Sequence, residues 1–299
     1  DLGPRLAIAL RHPRSRRPLT PTAPTIDMGV LTDNDIVGFA QIARELVEKA
    51  GKSFLRGTAR AAGREAAARV VDLQHDGRET KLAADATLER KLVDALHATG
   101  ISVLSEESGL RVRYNHPTLR WIVDPLDGSY NWRRGLLESM VSVALWDDRE
   151  PVVGALFGLS TRRVAWGGPR IGAFVGSTPI SVSDVSDARQ ATLCTGFPTR
   201  FPVGDRAAVD AFAGVLTRFG KVRMVGSAAA SLLHVAAGRA DAYAEHRIMP
   251  WDVAAGLAIL QGAGGAFEMS FTDFSEPCSV VATNDRFPAD VEILGALLD

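Results

Sequence analysis

Between Leu31 and Leu55 the apolar residues recur at helical spacing. Ile36, Phe39, Ile42, Leu46 and Ala50 fall on one face of a predicted helix, with Thr32 or Asp33 as its N-cap. TARAAGREAAARVV carries the helical pattern on towards a short strand near Val70–Leu73, and HDGRET reads as a turn. AADATLERKLVDALHATG is a second helix, ended by Gly100. ISVLSEESG and RWIVDPLDGS each read as a strand running into acids. MVSVALWDDREPVVGALFGL reads as two strands joined by a turn at Asp147–Glu150, and RRVAWGGPRIGAFVGSTPISVS as further β-structure with glycine turns.

The pattern changes after about Ser186. ATLCTGFP, VRMVGS and DAYAEH read as strands, and DRAAVDAFAGVLTRFG, AAASLLHVAAGRA and PWDVAAGLAILQGAG as helices. Alternation of this kind predicts an α/β layered half, 186–299, behind an α+β half, 28–185. Residues 1–27 differ from both. They are rich in Arg and Pro and precede Met28, and are expected to be an added extension or a disordered arm.

Composition narrows the function classes. A net charge of -1 builds no field for nucleic acid or an acidic membrane surface. No apolar run reaches about 18 residues, so no membrane-spanning helix is expected. Cys194 and Cys278 lie far apart without C-x-x-C spacing, which argues against a disulfide scaffold or a zinc site and suits a reducing, cytoplasmic setting. The six histidines show no ligand spacing. His234, inside SLLHVAAG, reads as a core residue, and His246 follows Glu245 closely enough to reach a substrate.

Acids stand where predicted strands or helices begin or end: Asp85, Glu106–Glu107, Asp124 with Asp127, and Asp252. A carboxylate at a buried strand end is costly unless a proton, an arginine or a metal compensates. Singly these positions are weak, since Asp252 can cap the helix VAAGLAIL and Asp85 can be an early-helix acid. The stretch WIVDPLDGSYNW is stronger. Pro125 turns the chain out of the strand and Gly128 permits a backbone angle that other residues resist. The bend should aim two carboxylates at one point and leave the Gly128 and Ser129 amides facing an anion. Hard oxygen ligands of this kind suit Mg²⁺ beside a phosphate, and two ions about 3.5–4 Å apart can clamp an attacking water and a leaving oxygen.

In that order, SEESG, WIVDPLDGSYN and PWDVAAG resemble the inositol monophosphatase family, the Mg²⁺-dependent, lithium-sensitive phosphatases that also include fructose-1,6-bisphosphatases and bisphosphate nucleotidases. The resemblance covers roughly residues 28–299 and extends to ADATLE, VGSAA, GAGGAF and VVATND. It implies an αβαβα layered sandwich with the site between the two halves, a homodimer, and hydrolysis of a small polyol or sugar phosphate monoester by metal-activated water. It also implies residue roles. Glu107 and Asp124, with the Leu126 carbonyl, would hold a first Mg²⁺; Asp124, Asp127 and Asp252 a second; and a third, weaker ion would sit near Glu107. Asp85 with Ser129 would activate the water. Gly128 and Ser129 amides would bind phosphate. Gly226, Ser227, Ala228 and Glu245 would contact the alcohol part of the substrate.

Departures from the family pattern bear on the substrate. Ser129 replaces the usual Thr but keeps the hydroxyl. Asn131, where nucleotidases typically carry Glu, favours a polyol or sugar. Arg133, Arg134 and Glu138 replace a more apolar segment, and are either solvated or shape an unusual substrate. Met224 stands where animal inositol enzymes carry Ser. Fructose 1,6-bisphosphate and 3′-phosphoadenosine 5′-phosphate are the alternative substrates, and a non-catalytic phosphate-binding regulator is the alternative of another class. The run MVSVALWDDREPVVGALFGL is apolar enough to supply a dimer face.

Overall fold

Thr32 starts the first helix. Its Oγ1 accepts from the Asp35 backbone N–H at 3.3 Å, and its own N–H donates to Asp35 Oδ2 at 2.9 Å, a reciprocal cap. Of the two predicted caps, Thr32 is the one used. The helix it opens, α1 (Asp33–Arg60), buries Ile36, Phe39, Ala40, Ala43, Val47, Ala50 and Phe54. Ile42 and Leu46, read as part of that face, sit partly buried at its margin. The smaller Ala43 and Val47 take the centre, where they allow the helix to lie close to a sheet.

The computed structural model describes residues 31–60, 70–74, 79–113, 115–197, 204–270 and 273–286, without the side chains of 59–60, 70–74 and 79–87. The arm expected at 1–27, the helical continuation at 61–69 and the turn at 75–78 lie outside the described residues. Beyond α1, β1 (Val70–Gln74) and β2 (Glu79–Leu82) pair as an antiparallel ribbon. α2 (Ala83–His97) follows. Next come β3 (Ser102–Ser105), β4 (Gly109–Arg111), β5 (Leu119–Asp127) and the short α3 (Ser129–Arg134). β6 (Met140–Asp147), β7 (Glu150–Gly158), β8 (Val164–Gly168), β9 (Gly172–Val175) and β10 (Thr178–Pro179) complete an eight-stranded sheet, ordered β10-β9-β8-β7-β6-β5-β3-β4. Within it only β3 and β5 run parallel.

Past Pro179 the chain crosses to a five-stranded sheet. It contains β11 (Thr192–Thr195), α4 (Arg206–Leu216), β12 (Lys221–Arg223), α5 (Ala228–Ala236), β13 (Ala242–Ile248), α6 (Pro250–Gly262), β14 (Ala266–Ser270) and β15 (Cys278–Thr283). The strand order is β12-β11-β13-β15-β14. The first three strands are parallel, as alternating strands and helices predict, but β15 and β14, which the sequence pattern does not mark as strands, join antiparallel.

Strand alternation sets the layers. Val103, Trp121, Val123, Val143 and Leu145 face α1 and α2. Their neighbours Leu104, Ile122, Ala144 and Trp146 face α5 and α6, which also cover Tyr243, Val280 and Ala282 of the second sheet. Val215 of α4 packs on that sheet's far side with Leu193, Ala242 and Val281. The result is an αβαβα stack. α6 is buried on all sides from Val253 to Leu260, as its place in the middle layer requires. The run proposed as a dimer face is β6 and β7, buried between α1 and α6, so its apolar residues are already used within one chain. No helix among the described residues is long and apolar enough to cross a membrane.

Candidate metal centre

β5 delivers the first acid. Asp124 shares a face with Ile122, towards α6, and is only 1% exposed. Pro125 then interrupts the ladder: the register with β6 shifts between Asp124 and Asp127. The Leu126 N–H turns back to Asp124 Oδ1 at 2.9 Å. Gly128, at φ 75° and ψ 36°, closes the turn and caps α3. A Cβ there would lie 2.6 Å from the Glu138 carbonyl oxygen, so the bend depends on glycine both for its backbone angle and for room.

Asp127 reaches the opposite wall. Its Oδ2 accepts from Ser227 Oγ and from the Ala229 N–H at 3.0 Å, at the start of α5. Asp252 is the third residue of α6 and also caps it, accepting from the Met249 N–H at 3.3 Å. Asp252 thus makes the capping contact anticipated for it while its carboxylate lies close to those of Asp124 and Asp127. Oxygens of Asp124, Asp127 and Asp252 lie within 4.8 Å of one another, the first two buried and the third partly so.

A fourth acid, Glu106, adds its charge to this group. Ser105 pairs with Val123 in the parallel β3–β5 ladder, and the Glu106 N–H donates to the Val123 carbonyl at 3.2 Å. Glu106 is the residue that follows Ser105, as Asp124 follows Val123, so the two acids leave the ends of adjacent parallel strands. Glu106 accordingly acts electrostatically on both Asp124 and Asp252. Glu107, the glutamate that the family resemblance points to, is the next residue on the chain and lies partly buried.

The acids raise one another's pKa. Burial lifts Asp124 well above the usual carboxylate range, with Glu106, Asp252 and Asp127 adding to it. Asp252 rises likewise, through burial and then Asp127, Glu106 and Glu245. Asp127 is pushed up to about 6 by burial, although its hydrogen bonds with Ser227 and the amides of Ala229, Ala228 and Gly128 pull it down. Glu245, on β13, is raised to about 7 by burial; the Tyr243 hydroxyl donates to it at 3.0 Å. Gly196 leaves room for it, since a Cβ at that residue would fall 2.2 Å from the Glu245 carboxyl.

The remaining sequence-predicted residues fall as follows. Asp85 is in the first turn of α2, and its side chain lies outside the described residues. Ser129 opens α3 immediately after Gly128. Gly226 leads into Ser227, the N-cap of α5, and Ala228 is the first residue of that helix. The Ser227 hydroxyl is engaged by Asp127 and by the Ala230 N–H at 3.1 Å. Asn131 is 5% exposed, with its amide donating to the Glu138 and Val225 carbonyls. Arg133 and Arg134 are exposed, while Glu138 is half-buried with Oε1 3.9 Å from His234 Nε2. Burial lowers the His234 pKa, in keeping with a core histidine.

Comparison with known proteins places this architecture. The chain matches the inositol monophosphatase family over residues 37–290. It is 37% identical over 150 residues to a fructose-1,6-bisphosphatase/inositol-1-monophosphatase of Aquifex aeolicus, a match spanning 50% of this chain and 57% of that protein. It is 31% identical over 265 residues to an inositol-1-monophosphatase of a Synechocystis species, covering 86% of this chain and 88% of the other. Its fold superimposes on the crystal structure of the extragenic suppressor protein suhB from Bartonella henselae with a TM-score of 0.73 at 26% identity, over 86% of this chain and 97% of that one. With the motifs, the layer order and the family match in agreement, the chain belongs to the inositol monophosphatase family, a family of phosphoric monoester hydrolases.

Proposed function

We propose that this chain is a Mg²⁺-dependent phosphatase that hydrolyses a small polyol or sugar phosphate monoester. The observation that carries the reading is the set of carboxylates Asp124, Asp127 and Asp252, with oxygens within 4.8 Å of one another and Glu106 acting on two of them. The charges raising Asp124 are all acids. Such a cluster is stable at neutral pH only with protons or a cation among its oxygens. All-oxygen donors suit Mg²⁺ rather than a softer metal. Two, or with a weaker third, three ions are the expected load.

When bound, Mg²⁺ supplies neutralisation of the phosphate charge and activation of water. The chain's residues do the rest. Glu106, Asp124, Asp127, Asp252 and the Leu126 carbonyl would hold the ions. The Ser129 hydroxyl, with Asp85, would orient the attacking water. Ser129 stands at the start of α3, where backbone N–H groups favour an anion. Glu245 would accept a hydrogen bond from the alcohol part of the substrate. We further read the protein as a cytoplasmic homodimer inhibited by lithium, on the family resemblance and the two buried free cysteines.

The Synechocystis relative's name favours inositol 1-phosphate, and that of the Aquifex relative keeps fructose 1,6-bisphosphate as the second reading. The test is phosphate release from myo-inositol 1-phosphate, glucose 1-phosphate, fructose 1,6-bisphosphate and 3′-phosphoadenosine 5′-phosphate, with Mg²⁺ and with EDTA. One preferred ester, cleaved only with Mg²⁺, is expected. Equal turnover in EDTA overturns the reading.

A further inference from the structure

Asn131 lies four residues beyond Asp127, and both side chains grip the same short segment of the opposite wall. The Asn131 amide Nδ2 donates to the Val225 carbonyl at 2.7 Å, to the Gly226 carbonyl at 3.2 Å and to the Glu138 carbonyl at 2.8 Å. Gly226 runs directly into Ser227. The Ser227 hydroxyl and the Ala229 N–H both hold Asp127 Oδ2, which fixes the rotation of that carboxylate. We propose that Asn131 is a positioning residue for the metal centre: it anchors the 225–229 backbone so that Ser227 and Ala229 keep Asp127 aimed at Asp124 and Asp252.

The chemistry of the side chain supports this role. Three carbonyl oxygens converge on one NH₂ group, so the site calls for a donor with two hydrogens. A carboxylate there would repel all three oxygens. An aliphatic side chain would leave the three buried carbonyls without that donor. Asn131 is buried and its amide hydrogens are already committed, so its effect reaches the reaction through Asp127 and not through the substrate.

The inference rests on the reading of Asp127 as a Mg²⁺ ligand, and the experiment separates the two. Mg²⁺ binding is measured by isothermal titration calorimetry on the wild-type chain, Asn131→Ala, Asn131→Ser, Ser227→Ala and the Asn131→Ala/Ser227→Ala double variant, each checked for folding by circular dichroism. Each single variant should weaken Mg²⁺ binding by about tenfold or more, the usual effect of losing a residue that orients a ligand. The double variant should lose little more than the worse single one, because both act through one carboxylate. The Mg²⁺ concentration for half-maximal phosphate release should rise in parallel, with KM for the ester at saturating Mg²⁺ nearly unchanged. Folded Asn131 variants with wild-type Mg²⁺ affinity, or losses that add in full, overturn the inference while leaving the metal reading intact. Failure of both Asn131 variants to fold overturns it too, since the residue would then serve the fold. A wild-type chain that binds no Mg²⁺ overturns the metal reading itself.

Discussion

The Glu106 N–H donates to the Val123 carbonyl at 3.2 Å, just past the Ser105–Val123 pairing that ends the parallel β3–β5 ladder, and Glu106 adds its charge to the field on Asp124. Two apolar runs, one ending in Ser105-Glu106 and the other in Val123-Asp124, thus run side by side to their acids. Buried so close together, these acids raise the proton affinity of Asp124 well above the usual carboxylate range, as a cluster awaiting protons or a cation would.

The register predicts that the two adjacent glutamates are not equivalent. Glu106→Gln should reduce Mg²⁺-dependent phosphate release by at least about a hundredfold, since even residues behind metal ligands cost about ten- to a hundredfold. Glu107→Gln should cost markedly less. Parallel Mg²⁺ titrations of the two variants check this; an inactive Glu107→Gln beside an active Glu106→Gln would reverse the assignment.

This pair also marks how far the sequence alone can be read. The Asp124–Asp127 turn was legible because its causes are local: Pro125, Gly128 and two acids within five residues. The sequence offers no local signal that separates Glu106 from Glu107, because neighbouring identical side chains differ only in which face the strand register gives them. The hydrogen bond from Ser227 to Asp127 joins residues a hundred positions apart, and the Asn131 amide meets carbonyls nearly as remote. Neither leaves a local pattern. The period of α1 was legible, but not that Ala43 and Val47 would take the centre of its face, since that depends on how closely the helix meets the sheet. β14 was missed because AFEMS is partly exposed and only weakly alternating, and CSVVAT in β15 is too short an apolar run to tell strand from helix.

Asp124→Asn should separate activity from folding. The substitution removes one of several buried, mutually repelling carboxylates and retains an oxygen for the Leu126 N–H. Phosphate release should fall to background. In EDTA at pH 7.5 the variant should melt at or above the wild-type temperature. Scanning calorimetry checks this, and a large fall in melting temperature without metal would mean that Asp124 supports the fold through contacts other than these.

The metal-free protein should lose stability as pH rises from about 5 to 8. Asp127 and Glu245 titrate near 6 and 7 in the folded chain, and Asp124 and Asp252 are also raised. Unfolded, all four have ordinary carboxylate values near 4. The folded state therefore binds more protons across this window. The stability that these groups contribute is fully present below the unfolded values and is lost as pH passes the folded ones. His234, lowered by burial, works the other way below its ordinary value, but it is one group against four acids. Melting temperature against pH in EDTA should fall towards pH 8, and saturating Mg²⁺ should flatten the slope. A metal-free profile that rises over that range would contradict the raised values.

Gly128→Ala tests the turn that holds the acids together. At φ 75° an alanine is strained by about 1–3 kcal/mol, and its Cβ would also meet the Glu138 carbonyl oxygen at 2.6 Å and Ser227 Cβ at 3.3 Å. That carbonyl accepts from the Asn131 amide, which also binds the Val225 and Gly226 carbonyls, so its displacement bears on the side chain that holds both segments. The variant should lower the urea midpoint with the slope unchanged, corresponding to at least about 2 kcal/mol, and should weaken Mg²⁺ binding with it. Gly57→Ala is the control. Gly57 is exposed on α1, has nothing within 4 Å of a built Cβ, and should gain up to about 1 kcal/mol from the better helix former. A Gly128→Ala chain as stable as the Gly57→Ala control, with wild-type Mg²⁺ affinity, would show that the turn relaxes freely and that glycine is not what holds Asp124 and Asp127 at one point.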